Sequence, residues 1–141
     1  MKYIVYISTT SKILSDSELA EMLKENYLNN RQANITGMLI YTEGSFIQVL
    51  EGPEDSLRKT YQEIVSDSRQ KNIIKLAEDT IKAPNFTDWT MAFIPSDPAK
   101  VAALEGYINP ISNGFLRTAS NHAAVMLLKS FAKDNRITYS L

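Results

Sequence analysis

Ile35-Thr36-Gly37-Met38-Leu39-Ile40-Tyr41-Thr42 and Ser45-Phe46-Ile47-Gln48-Val49-Leu50-Glu51 flank the dipeptide Glu43-Gly44. Two apolar runs of strand length around a glycine-bearing pair read as a β-hairpin. Ahead of the hairpin, Ser15-Asp16-Ser17-Glu18 has capping-box spacing, and Leu19, Met22, Leu23 and Tyr27 follow with helical period. The spacing predicts a helix to about Asn29 or Asn30. Earlier still, residues 3 to 8 (Tyr-Ile-Val-Tyr-Ile-Ser) are apolar on both alternating faces, the pattern of a central strand covered on two sides. Behind the hairpin, Pro53 stands just inside a helix start, with Leu57, Tyr61, Ile64 and Val65 on one stripe. Ile73 to Ile81 and Phe86 to Ile94 read as two more strands, split by Ala83-Pro84-Asn85.

The order β-α-β-β-α-β plus one strand predicts an α+β fold: a ferredoxin-like, five-stranded mixed sheet with two helices on one face. Beyond it, Asp97-Pro98 starts a short helix through Leu104, and Ser120 caps another that holds Val125, Leu128 and Phe131. Asn109-Pro110 to Thr118 is irregular. The apolar faces of these two C-terminal helices need cover, and the free face of the sheet is the expected place, with a dimer interface as the competing use. The expected division is a domain over residues 1–95 and a helical extension over 96–141.

With 141 residues the chain can bury a core without covalent staples. Fifteen basic against sixteen acidic side chains leave a formal charge of -1, which gives no general attraction to nucleic acid or anionic membrane. The absence of cysteine removes disulfides, thiolate metal sites, iron–sulfur clusters and thiol nucleophiles from consideration. No run approaches a signal peptide or a membrane span, so a cytoplasmic location is expected.

No enzyme constellation assembles. The five glycines form neither a dinucleotide fingerprint nor a phosphate loop, and His122 is the only histidine. The informative residue is Gln48, an amide between Phe46 and Leu50 on one strand face, where a buried polar group needs partners or costs about 1–3 kcal/mol. A glutamine bonded to backbone at a sheet edge is its plain alternative. Tyr6 poses the same question on the first strand, against the plain reading of an aromatic core filler. Asn29-Asn30 at a helix end read equally as a C-terminal cap. Trp89 and Met91 share one face of a late strand, where ordinary packing would suffice.

Together these residues form a pattern: Tyr6-Ile7-Ser8, Asn29-Asn30, Asn34-Ile35-Thr36-Gly37-Met38-Leu39, Phe46-Ile47-Gln48-Val49-Leu50-Glu51-Gly52, Asp67-Ser68-Arg69 and Phe86-Thr87-Asp88-Trp89-Thr90-Met91. The pattern resembles the BLUF domain, a sensor of blue light using flavin, over roughly residues 1 to 95. The tail is similar to the capping helices of short BLUF proteins. The resemblance implies a photoreceptor rather than an enzyme, binding a flavin non-covalently between the two helices. FAD is the family default, with FMN or riboflavin open. It implies that Asn30, with Asn29 beside it, bonds the pyrimidine edge of the ring, and that Asp67 and Arg69 belong to the cofactor-binding set. It further implies that Gln48 bridges the flavin and Tyr6, and that light moves an electron and then a proton from Tyr6. Both return once the Gln48 side chain has rearranged, which leaves a reversible red shift. The change is relayed through the strand bearing Trp89 and Met91 to the tail. A homo-oligomer and a separate output protein are the implied partners, with no nucleic acid and no membrane.

Three positions depart from the pattern. Gln70 and Asn29 stand where relatives have histidine, and Glu63 where some have arginine. A cofactor-free ferredoxin-like interaction module and a flavin oxidoreductase are the competing classes.

Overall fold

The computed structural model describes residues 1–110, 116 and 122–136. Among these, six strands form one mixed sheet in the order β4-β1-β3-β2-β5-β6. The strands are β1 (Lys2–Thr10), β2 (Thr36–Thr42), β3 (Ser45–Gly52), β4 (Gln70–Thr80), β5 (Trp89–Ala92) and β6 (Tyr107–Ile108). The first four are antiparallel neighbours, whereas β5 and β6 add in parallel beyond β2. The helices are α1 (Asp16–Gln32), α2 (Glu54–Val65) and α3 (Ala123–Asp134).

Local chemistry explains these elements. Ser15 and Glu18 form the capping box of α1 reciprocally. The helix runs past Asn30 to Gln32 and ends at Asn34, whose positive φ of 58° stops it. Glu43 and Gly44 both have positive φ, 46° and 86°, as a two-residue turn needs to match strand twist. Pro53 is the cap of α2 rather than its first residue.

Alternation sorts the strand side chains into two cores. Ile4, Tyr6, Leu39, Tyr41, Phe46, Leu50, Trp89 and Met91 pack under α1 and α2. Tyr3, Val5, Met38, Ile40, Ile47 and Val49 pack under α3, with Ala124, Leu128 and Ala132. The two-sided apolar reading of β1 thus reflects two covered faces. Gly37 in β2 has φ of 147°, and a Cβ there would stand 1.9 Å from the Val49 carbonyl oxygen, so only glycine lets β2 and β3 approach.

Several expectations are corrected. The sheet has six strands instead of five, because Tyr107–Ile108 pairs with Met91–Ala92. Two residues carry no readable period. The segment from Asp97 is one 3₁₀ turn, Pro98–Lys100, capped by the Asp97 carboxylate on Ala99 N–H at 3.1 Å. The i→i+3 bonds that follow, such as Leu104 N–H to the Val101 carbonyl at 3.0 Å, make isolated turns and no α-helix. This segment does not cover the free face: Val101 and Leu104 pack into the α1–α2 core, while α3 and Leu116 pack on the other side. Ser120 lies outside the described residues, and the cap of α3 is His122, whose Nδ1 accepts from Ala124 N–H at 3.1 Å. His122 also packs edge-on against Tyr3, so its role there is structural. The strand expected over 86–94 is shorter, β5 at Trp89–Ala92.

Candidate functional site

The register of the sheet brings three of the photoactive candidates, Tyr6, Gln48 and Met91, into one line, with Trp89 two residues away opposite Gly37. Tyr6 pairs with Gln48, Gln48 with Leu39, and Leu39 with Met91. The row continues to Lys75 on one side and Tyr107 on the other. Gln48 lies on β3 between β1 and β2, so the sheet-edge explanation of its amide fails. It is 1 % exposed and Tyr6 is fully buried. Among the described residues, Tyr6 Oη, Gln48 Nε2 and Trp89 Nε1 are the buried side-chain polar atoms that lack a hydrogen-bond partner. Burial of this kind costs about 1–3 kcal/mol per group, and two of the three groups belong to direct cross-strand neighbours, Tyr6 and Gln48.

Above that place, a narrow cleft of about 80 Å³ opens between α1 and α2. Its lining unites Asn29, Asn30, Gln48, Asp67 and Arg69, every cofactor-binding candidate from the sequence, with Asn26, Thr60, Glu63, Ile64 and Gln70. A polar groove of about 340 Å³ continues it between the same helices and shares Asn29, Thr60 and Glu63. Asn30 is buried because it faces the sheet, whereas Asn29 is exposed one position earlier. Trp89 and Met91 lie in the sheet beneath and do not line the cleft.

At the rim, the Arg69 guanidinium bonds Asp67 at 2.8 Å and Glu25 of α1 at 2.7 Å. Arg69 holds the Asp67 carboxyl below its usual range, and Asp67 and then Glu25 raise Arg69 still further above its own. Deeper in, burial pushes the Tyr6 phenol well above its ordinary value, with the nearby Gln70 side chain only partly opposing it.

Sequence reasoning marked Gln70 merely as a departure and missed its place. It is buried at 7 % exposure, and its Oε1 accepts from the buried Ser8 hydroxyl at 2.8 Å. The available signal was parity: Thr10 pairs with Gln70, and Thr10, Ser8 and Tyr6 share one face of β1. Glu51 was also missed as a buried carboxylate. It accepts from Asn85 N–H, the Asn85 amide and Phe86 N–H at 2.8–3.0 Å, which ties the β4–β5 connection to β3.

A larger groove of about 520 Å³ lies on the far side of α1, among Lys24, Tyr27, Lys100 and Leu104. None of the unpartnered buried polar atoms faces it, so the small cleft is the better candidate despite its size. Among the described residues no cluster of His, Asp or Glu could hold a metal ion, and no helix is long and apolar enough to cross a membrane.

Residues 1–92 match the family described as BLUF, sensors of blue-light using FAD. The chain belongs to the BLUF family. It is 30 % identical over 89 residues to the photoactivated adenylate cyclase subunit beta of Euglena longa, covering 62 % of this chain and 10 % of that one. It is 35 % identical over 69 residues to the blue light- and temperature-regulated antirepressor BluF of Escherichia coli K12, covering 49 % and 17 % respectively. The chain therefore spans well under a fifth of these relatives' length. Among solved structures, a bacterial light-regulated adenylyl cyclase aligns with a TM-score of 0.62 at 29 % identity, over 95 % of this chain and 33 % of that one. The ground state of BlsA shares the fold at a TM-score of 0.62 and 23 % identity, over 99 % and 90 %. Residues 1–92 thus belong to a sensory domain.

The residues of the cleft suit a flavin by their chemistry. A flavin ring has a polar pyrimidine edge and a polar N5/O4 corner. The amides of Asn29, Asn30, Gln48 and Gln70 converge on the cleft, with Gln48 Nε2 still unpartnered.

Proposed function

We propose that this protein is a blue-light photoreceptor that holds a flavin non-covalently between α1 and α2 and signals by rearranging the Tyr6–Gln48 pair. The observation that carries the proposal is the direct pairing of Tyr6 with Gln48, both buried, with unpartnered polar atoms under a cleft lined by amides. When bound, the flavin supplies the absorption of blue light and an acceptor for an electron. Tyr6 is the donor, and its protonated, buried phenol is able to give up a proton along with the electron. Gln48 is the switch, because an amide offers a donor end and an acceptor end and satisfies one network in two orientations. Asn30 anchors the pyrimidine edge from its buried position, with Asn29 at the mouth. Asp67 and Arg69 hold the rim beside the cofactor's side chain. FAD is the proposed form, by the family's description.

The signal passes from Gln48 through Leu39 to Met91 and Trp89 on β5. From there it reaches β6 and the tail over residues 96–141, which we treat as the output extension of a flavin-binding unit over 1–95. The relatives' names speak of a cyclase and of an antirepressor, which supports output through another protein or domain. A homo-oligomer in the cytoplasm completes the proposal.

The test is the absorption spectrum of the purified protein before and after blue light. Yellow protein with a red shift that reverts in darkness supports the sensor. Colourless protein that takes up no flavin supports the interaction module instead, and bleaching by reduced nicotinamide supports an oxidoreductase.

A further inference from the structure

We propose that Glu51 is a positioning residue that couples the switch strand to β5: its buried carboxylate pins the β4–β5 connection to β3, so that a shift of the strand carrying Gln48 reaches β5 directly, past β2. The inference rests on the photoreceptor reading and gives it a path out of β3 that bypasses Leu39.

The connection has far to go. β4 and β5 stand first and fifth in the sheet order, so residues 81 to 88 cross four strand spacings. At about 4.8 Å each, that is about 19 Å. Eight residues reach about 26–29 Å at full extension, which leaves the segment little slack. It is held at three points. Ile81 N–H donates to the Met1 carbonyl at 3.0 Å, and Asp88 accepts from Gly37 N–H of β2 at 3.1 Å. Between them, on β3, stands Glu51.

Glu51 is 0 % exposed, and it accepts from Asn85 N–H, the Asn85 amide and Phe86 N–H at 2.8–3.0 Å. A carboxylate offers acceptors only, which suits three N–H donors, and such charge-assisted bonds are about twice as strong as neutral ones. Side chains alternate along a strand, so Glu51 sits on the face opposite Gln48, three residues away. Phe86 packs on that same face, in the core beneath α3. One strand thus carries the amide on one face and the pin on the other.

β5 is the element the pin can move. It is four residues long and pairs with β2 in parallel, the less stable geometry per residue. Trp89 follows Phe86 by three residues, and Met91 N–H donates to the Gly106 carbonyl at 2.8 Å, which leads on to β6. A displacement of β3 therefore draws on residues 85 and 86, and through them on Trp89, Met91 and Gly106.

The experiment is hydrogen exchange on the full chain loaded with FAD, in darkness and under blue light. Glu51→Gln keeps the shape of the side chain and turns an NH₂ group against one of the three donors. In darkness the Gly37 and Met91 amides should exchange at least about tenfold faster in this variant, the size set by losing a hydrogen bond to a charged group. The β1–β3 ladder should keep its protection. A uniform rise in both ladders would make Glu51 an ordinary stabilising contact and overturn the proposal. Under light, exchange at Met91 should change in the unsubstituted chain. Glu51→Gln should keep the red shift while that change shrinks at least about fivefold, the lower end of typical coupling effects. An undiminished change at Met91 in the variant, or none in an unsubstituted chain that red-shifts, would sink the coupling role. Asn85→Ala, which removes one donor and keeps both backbone N–H groups, should give the same pattern more weakly, and it decides the matter if Glu51→Gln does not fold. Dark exchange that quickens at Gly37 and Met91 in a protein showing no red shift would sustain the pin and overturn the photoreceptor reading.

Discussion

Gln48 stands directly across the β1–β3 ladder from Tyr6, and the two central strands hold that pairing from both sides. Opposite residues in such a ladder have Cβ atoms about 4.5–5.5 Å apart, so an amide at one position spans to a phenol at the other. Replacing Gln48 by leucine keeps approximate size and deletes both ends of the amide. Gln48→Leu should retain flavin but show no reversible red shift. A normal red shift in that variant would remove Gln48 from the switch.

Tyr6→Phe keeps the ring that packs edge-on against Tyr61, with centroids 5.7 Å apart, and deletes the hydroxyl. The expected outcome is bound flavin, brighter flavin fluorescence and no signalling state. Unchanged photocycling would transfer the donor role to another residue, Trp89 being the next candidate.

The same phenol carries a pH signature. Burial raises its pKa, as do Tyr61 on α2 and Asp67, with Gln70 opposing; the Lys75 ammonium lies 4.8 Å from the Tyr61 ring centre. In the unfolded chain a tyrosine ionises near pH 10. Above about pH 10 the unfolded state therefore binds fewer protons than the folded one, and stability falls as pH rises. Below about pH 10 the contribution is whole. Urea midpoints measured between about pH 9 and 11 should fall less steeply in Tyr6→Phe than in the unsubstituted protein. Equal slopes would mean that the phenol's burial has no titration consequence.

Asn30→Ala removes a buried amide from the cleft while leaving the carbonyl that accepts Ile35 N–H at 2.8 Å. Loss of such contacts is worth about 1–3 kcal/mol, or about 5- to 150-fold in flavin affinity. Titration of the flavin-free protein reads this directly. Asn29→Ala, from an exposed position, should cost less, and the reverse ranking would show the wrong asparagine was chosen.

Gly37→Ala sets a Cβ against the Val49 carbonyl at 1.9 Å and forces alanine to a φ of 147°. The β2–β3 ladder under the cleft must then open. A loss of about 3–5 kcal/mol is expected in the denaturant midpoint. A cost below about 1 kcal/mol would mean that the strands part easily.

Much of this was legible because the sheet is covered on both faces, so its central strands read as nearly continuous apolar runs. The hairpin, the capping box and the odd amide at Gln48 each have a local cause that survives in the folded protein. Tyr107–Ile108 was not legible, since a two-residue strand has no period and takes its pairing from β5. Gln70 was hidden for a different reason. Directly after Asp67-Ser68-Arg69 it reads as more polar surface, and only its register opposite Thr10 turns it inward. Glu51 is likewise hidden, because the groups that cover it, Asn85 and Phe86, lie 34 and 35 residues away in the chain.

The two faces of β3 have a consequence for how such a protein can diversify. Gln48 opens toward the cleft, while Ile47 and Val49 on either side of it press into the layer beneath α3. The cleft and α3 thus lie on opposite faces of one sheet. A partner docked on α3 need never touch the pigment, and residues that tune colour or recovery need never touch the partner. The sheet behaves as a shared diaphragm between two rooms. Each room can be refurnished by substitution without disturbing the other, so long as the β1–β3 register that joins Tyr6 to Gln48 is kept.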